Sequence, residues 1–357
     1  MAGRPSTAVS GVTRIHGETI VKRRRVLLAA AGVLAGALAV PSRALAAPRP
    51  PTMVADPAAA DRDFVRWLSV HDPRAAVRAA AEAAVTGGAA AFVATGYASA
   101  LSQAAQARAN DLDFANRMAA EHPAQSNPWV NAAARRAANG TDAELAAFRA
   151  TGYAAALTDD DAHVPYDDGA ALVSPEDFDL VRSIRYLDTG PTVLERSAEV
   201  RTDADAAEFL RHGWLSAARI DVDTFRARYV ADEWDRWREA RYRVSQAVSL
   251  DRAAREGAAD PYAAVRAWDD VFVRFARQPS GWAERERFVR PRADDWLRIS
   301  YTAADRESPL WAPLTVEAPA IRSQWLNELT GATQQGAWWS ELIQYAQALR
   351  DEWLHNS

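Results

Sequence analysis

Asp269 and Asp270 stand side by side on a stretch whose apolar residues Val265, Trp268, Phe272 and Phe275 step by 3, 4 and 3. Adjacent carboxylates beside aromatic rings can hold a divalent cation or trade protons with a substrate. A diphosphate-gripping cluster needs a third acid, but Val271-Phe272-Val273 follows instead. The plainer reading is an acidic helix face opposite an apolar stripe.

A second acidic group, Asp159, Asp160, Asp161, Asp167 and Asp168 with His163, interrupts the helical pattern. Asp159, Asp161 and Asp167 would be the ligands if it held a hard cation. The D-x-D-x-D-G order of a calcium loop is absent, so a solvated loop explains it more simply and no metal is expected.

Ten of the thirteen tryptophans lie at or beyond Trp234. Tryptophans at helical spacing usually serve a core, because the ring buries a large area. Trp282, Trp311 and Trp339 fall off any stripe. With Trp338 they are the candidates to line a site for a sugar or an apolar small molecule.

Familiar catalytic templates are absent. The histidines are scattered and form no H-E-x-x-H, and no G-x-S-x-G, G-x-G-x-x-G or phosphate loop follows the leader. There is no cysteine, and the only lysine is Lys22. Disulfides, thiolate nucleophiles, cysteine–zinc sites and Schiff-base lysines are thereby excluded. No cofactor is expected.

Lys22-Arg23-Arg24-Arg25, the apolar run to Val40 and Ala44-Leu45-Ala46 predict a signal peptide over residues 1–46. Arg23-Arg24-x-Val26-Leu27 is similar to the twin-arginine export motif, with Lys22 where Ser or Thr is usual. A Sec signal with three arginines is the alternative. Both predict a secreted protein without a transmembrane anchor. Beyond residue 46 the chain carries 35 basic and 46 acidic residues, net −11. That balance argues against nucleic acid and against anionic membrane.

Pro/Ala-rich residues 47–60 read as a disordered linker. From Asp61 the periodicity is helical and no stretch alternates as a strand, which predicts an all-α fold. A frame recurs as Phe92–Ala100, Phe148–Ala156 and Phe209–Ala217: Phe, three residues, Gly, Tyr or Trp, two residues, Ala. Thr141…Glu144 and Thr202…Asp205 precede two copies as capping boxes. With Gly152 as a left-handed helix stop, Phe148 and Tyr153 occupy the two touching positions of a Schellman motif. Gly152→Val would then cost at least about 1 kcal/mol. The unit predicted is a helix, a glycine stop, an aromatic staple and a second helix.

At Thr141–Ala156, Thr202–Ala217 and a clipped Thr86–Ala100, the chain resembles the ALF family of short repeats from exported actinobacterial proteins. The resemblance covers roughly residues 75–225 and implies a helical repeat fold; it brings no catalytic residues with it. It places ALF-like helix-turn-helix units in residues 61–220, followed by a Trp-rich helical region in 221–357.

In that second region a long helix is expected from Asp223 to about Glu256, with Tyr229, Val230, Trp234, Trp237 and Val244 near one stripe. Pro309, Pro313 and Pro319 predict a broken loop before a last helix over Gln334–His355. The function expected is a binding or interaction module whose partner is an extracellular small molecule, glycan or protein. The alternative is a secreted, metal-independent or Asp/Glu-dependent enzyme, hydrolase or cyclase-like, acting on an apolar or sugar substrate in the Trp-rich half. A deep pocket with a desolvated carboxylate favours the enzyme; a flat concave surface favours binding.

Overall fold

Most helices before residue 214 are short, the 25-residue helix Tyr97–Glu121 apart, and the two longest follow it. The computed structural model describes residues 49–276 and 280–356, and of residues 280–284 and 356 the backbone alone. The expected signal peptide lies outside the described residues. Among the described residues the fold is all-α, without strands.

The labelled helices are α1 (Pro57–His71), α2 (Ala75–Val85), α3 (Tyr97–Glu121), α4 (Pro128–Ala138), α5 (Asp142–Ala147), α6 (Tyr153–Asp161), α7 (Pro175–Ser183) and α8 (Pro191–Glu199). They continue as α9 (Asp203–Glu208), α10 (Trp214–Arg255), α11 (Pro261–Ala276), α12 (Ser280–Ala304) and α13 (Ala312–Asn356). The boxes at Thr141/Glu144 and Thr202/Asp205 form in full, and Ser174/Asp177 adds a third with Pro175 at N1.

The glycine frames differ from expectation. Gly96, Gly152 and Gly213 have φ of −63°, −64° and −62°, ordinary right-handed values. Each frame is a π turn inside a continuing helix, not a stop: the N–H of Tyr97, Tyr153 and Trp214 donates to the carbonyl of Phe92, Phe148 and Phe209. The widened turn brings residue i and residue i+5 to one side. Their rings meet at 6.2, 6.2 and 5.5 Å. Glycine serves close approach at Gly96, where a Cβ would stand 2.9 Å from the Phe92 ring; on Gly152 or Gly213 it would meet Phe148 or Phe209 at 3.4 Å, an ordinary contact. The aromatic staple is present for a different reason than a left-handed cap.

The helices of a repeat are locked by a carboxylate eight residues beyond the glycine. Asp160, at the end of α6, accepts from Trp129 N (3.0 Å) and Val130 N (2.9 Å) in the first turn of α4. Asp221 accepts from Thr192 N (2.9 Å) and Val193 N (3.1 Å) in the first turn of α8. A buried carboxylate on free N–H groups completes a helix start and matches its dipole. Ala104 stands at the equivalent place in the first copy, which lacks this lock.

Residues 49–60 are not a disordered linker. Thr52–Ala55 is helical, Met53 is fully buried, and Asp56 caps α1 by accepting from Ala59 N. The apolar Met53 anchors the segment in the core of α1, α2 and α10. Pro48–Ser357 form one unit, and the expected boundary at 220/221 falls inside α10.

The two longest helices organise the rest. At 42 and 45 residues, α10 and α13 would each extend about 60–70 Å at 1.5 Å per residue. Their early turns, Trp214–Val222 and Leu314–Trp325, join one core with α7, α8 and α12. Their later turns, Val230–Ala247 and Trp339–Leu349, join another with α1, α2 and α11. A smaller core lies under α3, α4, α5 and α6.

The expected loop around the prolines is helix. Pro313 falls in the first turn of α13, where its missing N–H has no partner to lose. Pro319 sits inside the helix, and burial of Leu314, Ala318, Ile321 and Trp325 along that face outweighs its lost hydrogen bond.

Candidate functional site

A cavity of about 540 Å³ opens where α10 and α13 pass from one core to the other. Phe225, Arg228, Tyr229, Asp232, Glu233 and Arg236 line it from α10. Ala332, Thr333, Gln335, Gly336, Trp339, Ser340 and Ile343 line it from α13. Phe275 of α11 and Arg285 and Phe288 of α12 complete the wall. The size suits a small organic molecule, and the lining has the expected mix of rings and a few polar groups.

Glu233 is the buried acid of this wall, with 3% of its surface exposed. Trp339 Nε1 donates to its Oε2 at 2.8 Å, and Arg236 pairs with its Oε1 from one helical turn away. Burial pushes the Glu233 carboxyl above its ordinary range, against the opposing pull of Arg236 and the indole. Arg236 also faces the Trp339 ring, 5.6 Å from its centroid.

Tyr229 is 5% exposed, and its hydroxyl has no hydrogen-bond partner among the described residues. Arg285 lies over the Tyr229 ring with its guanidinium carbon 3.0 Å from the centroid, and its Nη1 is likewise buried and unpartnered. Burial raises the Tyr229 phenol and lowers the Arg285 guanidinium from their ordinary values.

Of the tryptophans proposed for a site, Trp339 lines the cavity. Trp338 stands behind it, packed on Trp339 at 4.5 Å and on Trp237 at 5.0 Å. Trp311 is fully buried elsewhere, donating to Asp177 Oδ1 at 2.9 Å, and is a core residue. The Trp282 side chain lies outside the described residues.

Asp269 and Asp270 are not brought together on a substrate. Asp269 pairs with Arg350 at 3.1 Å and Asp270 with Arg243, both at the surface. Asp159 and Asp161 do not converge with Asp167, which pairs with Arg211. No group of three or more His, Asp or Glu positioned for a metal occurs among the described residues.

Sequence reasoning missed Glu233, Tyr229 and Arg285. One signal was present: Tyr229, Glu233 and Trp237 follow at four-residue steps, so a carboxylate occupies the aromatic face of α10. Nothing in the spacing marks Arg285, which reaches Tyr229 from another helix.

A wider groove of about 1140 Å³ runs between the second and third repeats. Its principal charges satisfy one another. Arg136 grips Glu208 with two bonds of 2.7 and 2.6 Å, and Glu144 receives Ser216 at 2.8 Å and Arg219 at 3.1 Å. It holds repeats together.

The chain matches no family model, no curated protein and no solved structure. No helix among the described residues is long and apolar enough to cross a membrane.

Proposed function

We propose that this protein is an exported helical repeat protein that binds a small organic molecule in the cavity between α10 and α13. The observation that carries the reading is a 540 Å³ cavity walled by Phe225, Tyr229, Phe275, Phe288 and Trp339 with polar groups at defined points. The ALF-like repeats serve as its scaffold. Their conspicuous carboxylates, Asp160, Asp221 and Glu144, act on neighbouring helices. Titration with the neutral fluorophore N-phenyl-1-naphthylamine tests the reading. Saturable binding of one probe per chain with quenching of tryptophan emission is expected; absence of saturable binding removes it.

An Asp/Glu-dependent enzyme is the second reading, and the desolvated Glu233 carboxyl on the cavity wall favours it. Against it, each Glu233 oxygen already holds a partner, Arg236 or Trp339. Turnover of aryl esters or aryl glycosides by the native protein, lost in Glu233→Gln, would establish it.

A further inference from the structure

The unpartnered polar atoms of the cavity wall differ from those of the core. Trp214, Trp237, Trp268 and Trp325 bury indole N–H groups without partners, but none of these residues lines the cavity. Among the described residues, Tyr229 Oη and Arg285 Nη1 are the unpartnered buried atoms belonging to lining residues. Neither atom has a partner among the described residues, and both residues line the cavity, so a ligand that presses against the pair can supply the missing hydrogen bonds. Both groups can donate, and a guanidinium presents a planar fork that matches a two-oxygen anion.

The charges around the pair leave room for such an anion. Glu233 is engaged by Arg236 and by the Trp339 indole. Asp232, the other acid of the wall, is exposed, and Arg228 lines the same side. Arg285 stacks on Tyr229 and lies 5.7 Å from the Phe225 ring; Glu233 and Glu328 act on it through their charge, but among the described residues no carboxylate is bonded to it. Phe275, Phe288 and Ile343 offer apolar surface for the rest of the ligand.

We infer that the cavity takes an aromatic or aliphatic carboxylate, its two oxygens received by Arg285 and Tyr229 and its apolar body packed against Phe275, Phe288 and Trp339. This rests on the small-molecule reading above. With Arg236 held by Glu233 and Arg228 exposed, one partly buried guanidinium and one phenol beside a buried glutamate suit a monoanion better than a doubly charged phosphate.

The test compares 2-naphthoate, 2-naphthamide and 2-naphthyl phosphate on the purified protein, each displacing N-phenyl-1-naphthylamine. Naphthoate is expected to bind about tenfold tighter than the isosteric amide, the strength of a charge-assisted pair. Arg285→Gln and Tyr229→Phe should each shrink that ratio, with Arg285→Gln bringing it within about twofold. Arg285→Lys, which keeps the charge without the fork, should fall between. Equal binding of naphthoate and amide, tighter binding of the phosphate, or a ratio that both variants leave unchanged overturns the carboxylate assignment while the cavity reading stands. Failure of the neutral fluorophore itself to bind removes both.

Discussion

Trp339 Nε1 donates to Glu233 Oε2 across 2.8 Å, tying the two longest helices together at the wall of the cavity. Glu233→Ala would leave the buried indole without an acceptor and remove the carboxylate that Arg236 holds. The expected loss is about 2–3 kcal/mol of unfolding free energy. Glu233→Gln keeps an acceptor for the indole and should lose about half as much. Urea denaturation reads both, and equal stabilities of wild type and Glu233→Ala would show that the bond carries nothing.

Asp160 and Asp221 hold the repeats by capping α4 and α8. Asp160→Ala or Asp221→Ala should each cost about 1–2 kcal/mol, the ordinary value of a lost helix cap. Surface acids without such a role, Asp269 for example, should change stability by less than about 0.5 kcal/mol when replaced by Ala. Thermal unfolding of the three variants in parallel checks the order.

The glycines of the π turns should now part company. Gly152→Ala is expected to be neutral or to stabilise by up to about 1 kcal/mol, because φ is helical and the new methyl meets Phe148 at ordinary contact distance. Gly96→Ala should destabilise, since the same methyl would press on the Phe92 ring at 2.9 Å. A large loss for Gly152→Ala would point back to a left-handed stop.

What was legible in the sequence was local. The boxes at Thr141 and Thr202 act within three residues, and the Trp268/Phe275 stripe repeats within one helix. The π turns were misread because Phe, three residues, Gly and an aromatic ring fit both a left-handed cap and an i to i+5 turn. Spacing alone does not set φ. Trp311 falls off any stripe in the sequence because the helical turn Pro309–Trp311 and α13, which begins at Ala312, lie where a broken loop is expected. Tyr229 and Arg285 meet only through the tertiary fold, so no pattern joined them.

Burial pushes the Asp223 carboxyl up to about 6. The folded form therefore holds a proton more tightly than the unfolded form, whose carboxyl has its ordinary value of 3.8. Between those two values stability falls as pH rises, and above about 6 the full penalty applies. Asp223→Asn should thus raise the melting temperature at pH 7.5, on the order of 1–2 kcal/mol of stability, and leave it nearly unchanged at pH 3.5. A difference of equal size at both pH values would show that the carboxyl titrates normally.

Gly336 is the position from which the cavity can be filled. It lines the cavity, and among the described residues a Cβ there would meet no atom beyond its own helical backbone within 4 Å, so Gly336→Phe places a ring in open space without displacing a neighbouring helix. Removing a helical glycine should also favour folding by about 0.5–1 kcal/mol. An unfolding temperature at or above that of the wild type is expected, together with loss of saturable N-phenyl-1-naphthylamine binding. A stably folded Gly336→Phe protein that still binds the probe with wild-type affinity would contradict the small-molecule reading of the cavity.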